Sequence, residues 1–84
     1  MTFEFKLDQV LEELEISKTK LSNLSGIRPA TVIDLSKGKL KRLELKTMNP
    51  ILDTLNIVAK EKGIAKLYTL DSIVEYYPVE EADK

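Results

Sequence analysis

Between positions 17 and 46 the chain carries Lys18, Lys20, Arg28, Lys37, Lys39, Lys41, Arg42 and Lys46 against only Asp34 and Glu44. Ammonium and guanidinium groups at this density suit one chemistry above others. They hold anions, and phosphate oxygens best of all. The flanks have the opposite sign. Residues 1–16 set Glu4, Asp8, Glu12, Glu13 and Glu15 against Lys6, and residues 47–84 set seven acids against four lysines. A net charge of −1 therefore conceals a strongly basic middle, and such asymmetry marks a local electrostatic footprint. A lysine cluster on its own is also compatible with a solvated face, so the elements that carry it must decide.

Other chemistries are poorly supplied. There is no cysteine and no histidine. Disulfides, the commonest structural zinc sites, Cys or His nucleophiles and the usual proton shuttle are thereby removed. No carboxylates pair in a recognisable cleft pattern, and there is no glycine-rich phosphate loop. The expectation is no enzyme, no catalytic residue, no metal and no cofactor. Met1–Phe5 lacks the basic start and apolar run of a signal peptide, and no apolar stretch approaches the roughly 18 residues of a membrane span. A soluble, cytoplasmic protein without a membrane partner is expected.

Eighty-four residues, 43% hydrophobic and 32% charged, fit one globular domain. The expected domain is 1–78, followed by an acidic, disordered tail at 79–84. Phe3, Phe5 and Leu7 alternate with polar residues, as in a short strand over 3–7. Leu7, Val10, Leu11 and Leu14 follow helical spacing. Ser17 suits the N-cap of a second helix that reaches about Leu24, with Leu21 and Leu24 pointing inward. Gly26 follows where a left-handed residue ends a helix. Arg28-Pro29 opens a third helix, with Val32 and Leu35 as its buried pair and Gly38 as its end. Lys39–Leu45 is a basic connection. Asn49-Pro50 suits the cap and first residue of a fourth helix with the stripe Ile51, Leu52, Leu55, Val58 and Ala59. Ile64–Tyr68 is a candidate strand, whose natural partner would be 3–7. Thr69 suits the cap of a short fifth helix holding Leu70, Ile73, Val74 and Tyr77. The fold class expected is all-α, four to five helices with a helix-turn-helix over 17–38, and a short two-stranded β element from 3–7 and 64–68.

The segment Ser17–Lys39 joins two short helices by a glycine turn, with small Ser22 where they must approach. An exposed helix held this way fits the major groove of B-DNA. It resembles the helix-turn-helix of lambda-repressor-like regulators of the Cro/CI or XRE type. Leu21, Gly26, Ile27, Thr31, Val32, Leu35, Gly38 and Lys39 stand in register with that pattern. Phe5-Lys6-Leu7, the Lys39–Arg42 run, Leu45-x-Thr47-Met48, Leu55-Asn56 and Ile73–Pro78 extend the likeness.

The resemblance implies double-stranded DNA as partner and a phage or prophage Cro- or repressor-like regulator reading the groove with helix 28–37. It implies Arg28, Pro29, Ala30, Thr31 and Asp34 as groove-facing residues, and Ser17, Lys18, Lys37, Lys39, Lys41 and Arg42 as phosphate contacts. Pro29 and Ala30 depart from the polar residues the family often places there and can touch only a thymine methyl or sugar edge. Arg28 can pair with guanine or with phosphate. Asp34 can accept from cytosine N4 or support Lys37 one turn on. Tyr68, Tyr76 and Tyr77 read as core or interface, and Phe3 and Phe5 as core. One such helix reads few base pairs, so a homodimer on two half-sites is expected. The alternative is a protein-interaction module on the same fold, an antitoxin or the partner of another regulator, because Pro29, Ala30, Ile33 and Asp34 form an apolar and acidic face.

Overall fold

In a computed structural model, residues 2–40 and 42–77 are described. The order is β1 (Thr2–Phe5), α1 (Leu7–Leu14), α2 (Lys18–Ser25), α3 (Pro29–Lys37), α4 (Leu45–Glu61), α5 (Leu70–Ile73) and β2 (Val74–Tyr77). Lys41, Pro78 and the tail at 79–84 lie outside the described residues. No helix among the described residues is long and apolar enough to cross a membrane.

The helical spacing read in the sequence places the core. Leu7, Val10, Leu11 and Leu14 of α1 are all buried. Opposite them lie Leu21 of α2, Val32 and Leu35 of α3, and Ile51, Leu55, Val58 and Ala59 of α4, with Tyr68 and Ile73. Burying such apolar surface is the main term that holds a chain this small together. Leu24, expected inward, is 52% exposed. It lies three residues beyond Leu21 on a helix of only eight, and at that end the stripe turns away from the core.

The sheet is real, but its second strand is not 64–68. β1 pairs antiparallel with β2, with Phe3 opposite Tyr76 and Phe5 opposite Val74. Residues 64–68 are held as a loop by Asn56. Its Nδ2 donates to the Tyr68 carbonyl at 2.9 Å, and its Oδ1 accepts from the Tyr68 N–H at 2.8 Å. A side-chain amide takes both backbone groups that a strand partner would have taken. The helix begun at Thr69 stops at Ile73, so Val74 and Tyr77 belong to β2 and not to a helix. Val-Glu-Tyr-Tyr is rich in β-branched and aromatic residues, and over so short a stretch the two periodicities are hard to separate. Lys6 ties the ends together, its N–H donating to the Ile73 carbonyl and its ammonium 2.6 Å from Glu75. Phe5 packs against the core, whereas Phe3 (51% exposed) and Tyr76 (48%) pair with each other on the surface.

The fourth helix begins at Leu45, not at Asn49-Pro50. Glu44 is its N-cap residue, and the Glu44 carbonyl accepts from Thr47 and Met48. Pro50 lies inside the helix. A proline there removes one donor, that to the Lys46 carbonyl. Lys46 is exposed, so water can satisfy that carbonyl. Leu45-x-Thr47-Met48 therefore forms the first turn of this helix, ahead of Asn49-Pro50.

One buried phenol fixes the loop to α1. The Tyr68 hydroxyl donates to Glu13 at 2.9 Å, and Lys66 lies 3.0 Å from the same carboxylate oxygen. Those two bonds hold the Glu13 carboxyl below its ordinary range, while burial followed by the Glu13 bond pushes the Tyr68 phenol up. A carboxyl lowered on folding stabilises the fold above its unfolded value and loses that contribution as pH falls through the lowered one. Melting temperature is therefore expected to drop as pH falls below the ordinary Glu value of 4.5. The acid limb should flatten in Glu13→Gln, as thermal melts between about pH 3 and pH 6 would show.

Candidate nucleic-acid interface

The helix-turn-helix is stitched by serines. Ser17 caps α2 by accepting the Lys20 N–H at 3.0 Å. Gly26, at φ 76°, ends α2 in the left-handed region, and its N–H returns to the Ser22 carbonyl. Ser22 is 5% exposed and donates to the Ile27 carbonyl at 2.6 Å. Ser25 accepts the Ile27 N–H at 3.2 Å. Every polar group of the turn named here finds a partner, so the interhelix angle is fixed locally and also by packing. Ser25 was not singled out from sequence. Its neighbour Gly26 was the only cue to a turn bond there.

Pro29 is the first residue of α3, where a missing N–H costs nothing. Val32 and Leu35 are 0% exposed and hold the inner face of α3 against the core. The outer face is thereby turned to solvent. Arg28, Pro29 and Ala30 are exposed, Thr31 and Asp34 are half-buried, and Ile33 is 39% exposed. Ser36 is buried, its hydroxyl donating to the Ile33 carbonyl at 2.7 Å. Among the described residues, Asp34 forms no ion pair with Lys37. The Asp34 backbone carbonyl instead accepts the Lys39 N–H at 2.8 Å, closing the end of α3 around Gly38.

Gly38 adopts φ 72°, and a Cβ there would come within 2.8 Å of the Phe5 ring. The close approach seats β1 on the end of α3. Leu40 and Leu43 pack partly buried against the core, and so anchor the connection that carries Lys39 and Arg42 outward. Arg42 has 83% of its side chain exposed, and among the described residues its one carboxylate partner is the distant Glu44, at 3.9 Å. Lys46, likewise 83% exposed, lies 4.0 Å from the same residue. Thr31, Leu40, Arg42, Glu44 and Thr47 line one groove of about 250 Å³. The structure thus brings Thr31 of α3 and Arg42 of the connection to one place. Ser17 and Lys18 line a different groove, with Asp8, Gln9, Leu11, Glu12 and Ile16. Lys18 is engaged there by Asp8 at 3.2 Å. Asp8 stands ten residues earlier on another helix, so no local spacing could have revealed that pairing.

A rigid two-helix unit with an exposed second helix and cations following its C-terminal end is what a major-groove reader requires. Residues 6–61 match the family model of the Cro/C1-type HTH DNA-binding domain. No curated protein and no solved structure matches the chain. The matched stretch takes in α1 to α4 with the whole stitched turn, and the chain belongs to the Cro/C1-type helix-turn-helix DNA-binding domain family.

Proposed function

We propose that this DNA-binding regulator acts as a Cro- or repressor-like transcription factor of phage or prophage type, binding its operator as a homodimer. The first turn of α3 enters the major groove in this reading. Arg28 pairs with a base or a phosphate, Pro29 and Ala30 touch methyl or sugar edges, and Thr31 and Asp34 flank them. Ser17, Lys18, Lys37, Lys39, Lys41 and Arg42 contact the backbone. The observation that carries the reading is the exposure of Arg28, Pro29 and Ala30 on a helix whose other face is locked by Val32 and Leu35. Exposed cations follow at its end. Base contacts are few, so backbone geometry and DNA shape supply much of the affinity.

The exposed Ile33 beside Pro29 and Ala30 favours a second reading, in which the same face seats a protein partner. Duplexes selected from a random pool separate the two. The DNA reading expects a recovered two-fold sequence with half-site centres about 34 Å apart. It also expects tighter binding to the full site than to either half. Recovery of no sequence, with the protein folded, would leave the partner reading in place.

A further inference from the structure

The two regions read as phosphate contacts are electrostatically unequal. At the start of α2, Lys18 lies 3.2 Å from Asp8 and keeps only 38% of its side chain exposed. Glu12 lines the same groove, and Glu15 lines the neighbouring one with Ser17 and Lys20. Three carboxylates therefore surround a helix N-terminus whose dipole and lysine would otherwise attract phosphate. The connection after α3 differs. Among the described residues Lys39 has no ion pair, while Arg42 and Lys46 share Glu44 at 3.9 and 4.0 Å.

We infer that Asp8 restrains the DNA grip of the α2 N-terminus by holding Lys18, so that the connection between α3 and α4 carries most of the backbone affinity. The inference rests on the DNA reading above. A phosphate reaching Lys18 must displace a carboxylate already in place, and that carboxylate then faces the DNA. A lysine neutralised in this way adds little to the counterion-release term. The part of affinity that is blind to sequence falls, on operator and bulk DNA alike. Asp8 acts through Lys18 and is a positioning residue for it.

The test is a two-residue cycle on the full chain, read as affinity for a mixed-sequence duplex across a salt series. Asp8→Asn should tighten binding about threefold to tenfold at low salt and steepen the log–log slope by up to about one. With Lys18 already replaced by alanine, Asp8→Asn should gain much less in affinity and slope than it does in the original chain. Glu12→Gln removes an equal charge from the same helix without touching the pair, and should change binding less than Asp8→Asn does. Asp8 is 61% exposed, so melting curves should show the variant folded. Unchanged slope and affinity in Asp8→Asn, an undiminished gain when Asp8→Asn is made beside Lys18→Ala, or an equal gain in Glu12→Gln would each overturn the inference while leaving the DNA reading intact. Absence of salt-dependent binding in both the original chain and Asp8→Asn would overturn both.

Discussion

Leu35→Ala is expected to lower the melting temperature by about ten degrees or more, and to lose DNA binding as the lowered melting temperature is approached. Leu35 is 0% exposed and, with Val32, is the apolar anchor of α3 on the core. Truncating a fully buried leucine costs about 2–5 kcal/mol, the lost transfer energy plus the cavity left behind. A chain of this size shifts by about 4–8 °C per kcal/mol and has a total stability of about 5–10 kcal/mol to draw on. The loss should be one of stability. Leu35→Met, nearly volume-conserving, should cost under about 1.5 kcal/mol and retain binding. A shift below five degrees in calorimetry would mean that α3 is not held by this packing, and the exposure of Arg28–Ala30 would lose its explanation.

The second large effect is on affinity alone. Replacing Lys39, Lys41 and Arg42 together by alanine should weaken binding to duplex DNA by on the order of a hundredfold at moderate salt, and should lower the salt slope by about three. The loss should be similar for operator and unrelated DNA, because backbone contacts carry no sequence information. Lys39 and Arg42 are exposed, and Leu40 and Leu43 anchor the loop. Melting should therefore be unchanged within a few degrees. A variant that binds as tightly and with the same slope would remove this connection from the interface.

Where local chemistry was unambiguous, the elements could be read from the sequence. Ser17, Gly26, Pro29 and Gly38 each have one strongly favoured use near a helix end, and each is used that way. Leu7, Val10, Leu11 and Leu14 fix α1 by periodicity alone. The errors arose where a distant group overrode a local preference. Asn56 claims the backbone of Tyr68 and leaves β1 to pair with 74–77 instead of 64–68. Asn49-Pro50 has the composition of a helix start, yet Glu44 supplies the first accepting carbonyl one turn earlier. The exposure of Arg28, Pro29 and Ala30 is legible because it follows from Val32 and Leu35 being inside. The pairing of Lys18 was not, since Asp8 reaches it across two helices.

The central claim is that this surface holds duplex DNA, and the slope of binding against salt tests it most directly. The measurement is the equilibrium constant of the unmodified chain for DNA from its own upstream region, at several salt concentrations between about 50 and 200 mM. A linear log–log plot with a slope of about −3 or steeper is predicted, with affinity falling by about sixtyfold or more across that range. A flat plot, or no binding at the lowest salt by a folded protein, would contradict the account and assign the exposed face of α3 to a protein partner.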